Sequence, residues 1–111
     1  MGTKTRQQVL YLAGAIAGNE RYREEFGVAQ ALLEEMGYIV LSPAVLPEGM
    51  DRRQYMRICM AMIDSADCVC MLESWMRSLG ANLEFDYCDY TGRQIAFLEM
   101  ENGEFVLNVR A

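Results

Sequence analysis

The chain has no histidine among its 111 residues, and that absence excludes several kinds of chemistry. Ser-His-Asp and Cys-His nucleophile systems and H-E-x-x-H metallohydrolases all need an imidazole for proton transfer or metal ligation. Acid–base work therefore falls to carboxylates, tyrosines, lysine or thiols. Zinc is disfavoured for the same reason. The four cysteines, Cys59, Cys68, Cys70 and Cys88, have no histidine to complete a site, and Cys68 and Cys70 lie two apart in an apolar strand-like run, not in a C-x-x-C clip. Buried free thiols in a reducing cytoplasm are the reading this usage favours.

Long apolar runs are also missing. None approaches the roughly 20 residues that span a bilayer, and the apolar part of MGTKTRQQVLYLAG is too short for a signal peptide. The expectation is a cytoplasmic protein with no membrane partner. Positive charge is scarce: ten Lys and Arg against sixteen Asp and Glu leave a net charge of -6. That balance argues against a nucleic-acid polymer or an anionic membrane surface. It leaves room for a small anionic ligand, because a helix N-terminus binds one locally. Repeats and low-complexity segments are absent. With 52% hydrophobic and 23% charged residues, the chain reads as one folded domain over residues 1–111.

What is present has the rhythm of an α/β protein. VLYLAG (9–14) is a short apolar run ending in glycine, as a buried strand would be. From Asn19 the period changes: Tyr22, Phe26, Ala29, Leu33 and Met36 mark one face of a helix that Gly37 closes. YIVLSP (38–43) is a second strand and PAVLPEG a rigid loop. Asp51 caps a second helix, with Gln54 completing a variant capping box and Tyr55, Cys59, Met62 and Ala66 forming its apolar stripe. CVCML (68–72) is a third strand, ESWMRS a loop, and SLGANLEF opens a helix that runs to Thr91 and stops at Gly92. QIAFLEM (94–100) is a fourth strand, and Asn102-Gly103 signals a hairpin to a final antiparallel strand on a sheet edge. Strand and helix alternating in this way make a parallel sheet with right-handed crossovers. Ligands of such sheets lie beyond the carboxyl ends of the strands, where strand order switches. The loops there are residues 14–19, 42–49 and 73–80.

Each candidate at that rim has a functional and a plain reading. AGAIAGN, with Gly14, Ala15, Ile16 and Gly18, is either a loop that admits a ligand to its backbone or an ordinary tight crossover; it is neither G-x-G-x-x-G nor a Walker loop. Ser78 and Gly80 either present a hydroxyl and free N–H groups to a phosphate or sugar oxygen, or simply cap a helix. Glu84, four residues after Gly80 and on the same face, is either a nucleophile with space above it or a solvated helix charge. Asp67 is either a turn residue or a second carboxylate, and two carboxylates roughly 5 Å apart would define retaining glycosidase chemistry. Tyr11 reaches the site or packs. Trp75 stacks a base or seals a core edge, and Arg77 pairs with a phosphate or is solvated.

Three stretches, YLAGAIAGN, FGVAQALLEEMGYIVLSPAVLPEG and YMRICMAMIDSADCVCMLESWMRSLGANLEFDYC, resemble a family common in phages and bacteria, domain of unknown function 4406. That family is similar to the nucleoside 2-deoxyribosyltransferases and the deoxynucleoside 5′-monophosphate N-glycosidases. The resemblance implies a flavodoxin-like (Rossmann-like) three-layer fold, with a parallel sheet of four to five strands and a C-terminal hairpin strand. By position it implies that Glu84 is the nucleophile and Asp67 an active-site aspartate at the start of the third strand. It implies that Ser78 stands where the monophosphate hydrolases bind phosphate, and that Tyr11 and Gly14 line the sugar pocket. It also implies a homo-oligomer, dimer or tetramer, in which a neighbouring subunit completes each pocket, and no metal or organic cofactor. The chain departs from the pattern at Ala15 and Ala17, where relatives often carry proline or serine and a hydroxyl, and at Asn82, where the enzymes have glycine. The activity implied is cleavage or transfer of the N-glycosidic bond of a (deoxy)nucleoside or its 5′-monophosphate. The alternative is binding or sequestration of a nucleotide-derived molecule without turnover.

Overall fold

In a computed structural model, residues 6–110 are described; residues 1–5, the basic start weighed above as a possible leader, and residue 111 lie outside them. Five strands, β1 (Val9–Ala13), β2 (Ile39–Leu41), β3 (Cys68–Met71), β4 (Gln94–Glu101) and β5 (Glu104–Val109), form one sheet in the order β2-β1-β3-β4-β5. The first four run parallel, and β5 returns antiparallel to β4. Helices α1 (Tyr22–Glu35), α2 (Arg52–Ser65) and α3 (Leu79–Thr91) make the crossovers.

Side-chain alternation along the strands divides the core between the two faces. Leu10, Leu12, Cys68, Cys70, Ala96 and Leu98 pack with Phe26, Ala29 and Leu33 of α1. Tyr11, Ala13, Val69, Met71 and Ile95 pack with Cys59 and Ile63 of α2 and Cys88 of α3. The result is a three-layer, flavodoxin-like arrangement. Its strand order reverses between β1 and β3, the place where such sheets open a binding crevice.

Local signals explain most boundaries. Asp51 and Gln54 form the reciprocal capping box of α2. Ser78 caps α3 by accepting the Ala81 N–H at 3.1 Å, and Gly92 ends it in the left-handed conformation. Asn102 and Gly103 both have positive φ, 53° and 80°, as a tight two-residue hairpin turn requires. Three expectations shift. Helix α1 begins at Tyr22 and not Asn19, because Asn19 turns the chain: its Oδ1 accepts the Arg21 N–H, and its amide donates to Ala15 O and to Glu25. Strand β2 is only three residues long, and Pro43 then starts a 3₁₀ turn, Pro43–Val45. ESWMR is likewise a 3₁₀ turn, Glu73–Arg77. Among the described residues no helix is long and apolar enough to cross a membrane.

Candidate functional site at the carboxyl rim of the sheet

A cleft of about 930 Å³ opens where the strand order reverses, walled by the loop after β1, the loop after β2, the start of α2 and the first two turns of α3. Tyr11, Gly14, Ile16, Gly18, Arg77, Ser78, Gly80 and Glu84 line it together.

Glu84 sits at its base. Ala81, Glu84 and Cys88 are the buried residues of α3. Their spacing puts the carboxylate on the core side of the helix, where it is only 6% exposed. Tyr11 explains why a charge is tolerated there. Its hydroxyl donates to Glu84 Oε2 at 2.6 Å, the length of a charge-assisted O–H···O contact. Burial pushes the Glu84 carboxyl up to about 7, while the Tyr11 hydroxyl, and to a lesser degree the Cys59 thiol, pull it back down. Burial, reinforced by the neighbouring carboxylate, holds the Tyr11 hydroxyl well above its ordinary range, so Tyr11 remains the donor. A methyl placed on Gly80 would meet nothing closer than Ser78 Oγ at 3.9 Å. The cleft that Gly80 and Glu84 both line is thus open at Gly80, with room for a side chain as well as for a ligand. A buried, partly ionised carboxylate with one fixed hydrogen bond and free volume beside it is equipped to attack an electrophilic carbon or to bind a cationic or hydroxyl-bearing ligand.

Tyr11→Phe tests this coupling. Without the hydroxyl the carboxylate loses its donor, so the Glu84 midpoint should move further above 7 in a ¹³C-carboxyl NMR titration. The variant should also lose about 1–3 kcal/mol more stability at alkaline than at acid pH. An unmoved midpoint would show that Tyr11 does not set the ionisation of Glu84.

The loop wall is held from behind. Gly14 is packed so closely that an added methyl would lie 3.1 Å from Ser74 Oγ and 3.2 Å from both Leu72 Cβ and Phe26 Cζ. Ser74 accepts the Ala15 N–H at 2.9 Å and donates to Glu25 Oε1 at 2.7 Å, and the Asn19 amide reaches the same Glu25 oxygen at 3.2 Å. Ala15 is therefore buried in this network behind the loop and does not face the cleft.

Besides Ala15, two expected site residues stand elsewhere. Asp67 precedes β3, at the amino end of the strand, whereas the cleft lies beyond its carboxyl end. Its carboxylate accepts the Val9 N–H at 2.8 Å and a two-point contact from Arg6 at 3.0 and 2.8 Å. The Arg6 hydrogen bond, helped by the Val9 N–H, lowers the Asp67 carboxyl to about 2. The length of β3, on the order of 10 Å or more, separates Asp67 from the rim, so the structure does not bring it to Glu84. Trp75 stacks on Phe85 at 4.8 Å between centroids and leans on Phe97 at 6.2 Å. It seals the far side of α3 and lines no part of the cleft. Conversely, the cleft holds groups that sequence reasoning passed over: Cys59, Glu48, Arg52 and Tyr55. In the sequence Cys59 and Tyr55 are visible only as members of the α2 apolar stripe. Arg52 follows the cap that opens α2, and Glu48 lies in the rim loop 42–49, a signal that could have found Glu48 alone. Among the described residues no three Cys, Asp or Glu side chains are grouped as metal ligands would be.

Comparison with known proteins agrees with this architecture. Residues 8–97 match the model of the family described as Domain of unknown function (DUF4406), and the chain belongs to that family. A solved structure described as 2-desoxiribosyltransferase from Leishmania mexicana superposes with a TM-score of 0.65 at 18% identity, over 94% of this chain and 79% of that one. At that identity the likeness is one of fold. No curated protein matches by sequence.

Proposed function

We propose that the cleft cleaves or transfers the N-glycosidic bond of a (deoxy)nucleoside or nucleoside 5′-monophosphate, with Glu84 as nucleophile. The observation that carries this reading is the buried Glu84 carboxylate, fixed by Tyr11 at 2.6 Å beside open volume at the switch point of the sheet. The likeness in fold to a deoxyribosyltransferase supports it. A Glu84 oxygen bonds to C1′ as the bond to the base breaks, and the bonding electrons leave with the base nitrogen, which takes a proton from solvent. Water, or an acceptor base in a transferase, then bonds to C1′ from the opposite side; the ester breaks, the carboxylate is regenerated and the attacking group loses its proton. Ser78, Gly80 and the free N–H groups at the start of α3, with Arg77 beside them, hold the phosphate or sugar, and Gly14, Ile16 and Gly18 let the ligand approach the loop.

One observation favours a second reading, ligand binding without turnover: Asp67, the expected partner carboxylate, is at the opposite end of the sheet. A panel of nucleosides and 5′-monophosphates, followed by chromatography of free base with Glu84→Gln as control, separates the two. The enzyme reading expects base release by the parent alone, with an acid limb near pH 7 where Glu84 ionises. No release from either protein, with a nucleotide still raising the melting temperature of both, would leave a binder.

A further inference from the structure

The two edges of the sheet are unlike. Strand β2 offers three residues before Pro43 ends it, a short edge of the kind that discourages pairing. Strand β5 offers six residues, Glu104–Val109, with no proline, lysine or bulge. The pairing phase decides which of its backbone groups are free. The two-residue turn makes Glu101 and Glu104 a hydrogen-bonded pair, and the Arg110 N–H reaches Ile95 O at 2.9 Å at the far end. The phase between these ends leaves the N–H and C=O groups of Phe105, Leu107 and Val109 pointing away from β4. Side chains of the same three residues share the α1 side of the sheet, where Leu107 packs on the core. Phe105 and Val109 remain 46% and 52% exposed.

We propose that β5 is an association edge, at which two copies of this chain pair antiparallel about a twofold axis through Leu107. The strand is complementary to itself in that register. Leu107 faces its own copy as a hydrogen-bonded pair, and Phe105 faces Val109 of the second copy twice, covering both exposed apolar side chains. On the other side of the sheet Glu104 faces Arg110 of the second copy, opposite in charge. Arg110 also contacts Asp89 at 2.8 Å, and its guanidinium has donors for both carboxylates. The sheet becomes one of ten strands, and the interface is isologous, as a closed dimer requires. No residue of β4 or β5 lines the cleft. The proposal therefore stands apart from the function proposed above and leaves the cleft open.

Size-exclusion chromatography with light scattering, together with amide exchange, tests it on the full chain. A concentration-dependent dimer is expected, in which the amides of Phe105, Leu107 and Val109 exchange slowly and become exposed on dilution. Leu107→Pro removes an outward N–H and leaves the ladder to β4 intact, so it should give a folded monomer with unchanged circular dichroism. Glu104→Arg relieves the like-charge pair with Glu101 inside the hairpin, so it should fold. It should raise the dimer dissociation constant on the order of tenfold, because two such pairs occur per dimer, and adding Arg110→Glu should restore it. A monomer at every concentration would overturn the proposal. So would a dimer in which those three amides exchange as freely as loop amides, since its interface would lie elsewhere.

Discussion

Glu84→Gln is expected to melt higher than the parent at pH 8 and nearly level with it at pH 4. The sign follows from the two states of one carboxyl. In the unfolded chain it ionises near the ordinary glutamate value of about 4.3, whereas in the folded protein burial holds it at about 7. Below the unfolded value both states carry the proton and pH has no effect through this group. As pH rises, the unfolded chain releases its proton first, while the folded protein must keep it or bury a charge. The stability of the neutral form is thus fully present below the unfolded value and is lost as pH climbs through the folded one. The loss amounts to up to about 3 kcal/mol and is complete above pH 7 or so. Glutamine cannot ionise, still offers an oxygen to the Tyr11 hydroxyl, and so escapes the loss. At roughly 4 °C per kcal/mol the gap at pH 8 would be on the order of 10 °C. Thermal melts of both proteins across pH 4 to 8 measure it directly. A difference that stays constant with pH would mean that Glu84 does not carry a raised ionisation in the folded state. If the variant is both more stable and inactive, Glu84 is kept in the core at the expense of stability, as a working group often is.

The sequence made some parts of this architecture readable and hid others, for reasons that particular residues illustrate. The element order was legible because each boundary is decided locally: Asp51 with Gln54, Ser78, Gly92 and Asn102-Gly103 fix caps and turns within a few residues of chain. The rim was legible because a parallel sheet sends all its strand ends to one side, so locating β1, β2 and β3 also located three cleft loops. Glu84 was ambiguous. A helix with Leu79, Leu83 and Tyr90 exposed and Glu84 buried inverts the usual amphipathic pattern. The groups that make the buried carboxylate tolerable, the Tyr11 hydroxyl 73 residues away in sequence and the Cys59 thiol, lie on other elements. Asp67 was legible as the residue that opens β3, which in a parallel sheet is the end away from the cleft. Its expected place in the site came from the resemblance, and in the structure Arg6 and the Val9 N–H claim it at that amino end. Glu25, Ser74 and Asn19 were silent. Their network joins two loops through long-range contacts, and no local spacing announces it.

Phe26→Ala is expected to cost about 3–5 kcal/mol, a large share of the roughly 5–15 kcal/mol that a domain of this kind commands. The ring is fully buried among Leu10, Leu12, Leu33 and Leu72 on the α1 side of the sheet, and its truncation leaves a cavity that a rigid sheet cannot collapse to fill. The same ring also supports the cleft. Its Cζ lies 3.2 Å from where a Gly14 methyl would stand, so the loop that walls the site rests directly on it. Gly14→Ala is the opposite perturbation: one methyl too many, pressed against Phe26, Ser74 Oγ and Leu72, at about 1–3 kcal/mol. If the contact is as tight as the geometry indicates, the two changes must couple. In the Phe26→Ala background the methyl added by Gly14→Ala gains the room the ring has vacated. That substitution should then cost at least about 0.5 kcal/mol less than it does in the parent. Urea unfolding of the parent, the two single variants and the double variant closes the cycle. Strict additivity would show that the loop does not rest on Phe26, and would leave the tight packing of Gly14 to Ser74 and Leu72 alone. Coupling of the expected sign would make the ring the link between the core and the cleft wall. Substitutions deep on the α1 side would then be expected to weaken ligand binding at the rim.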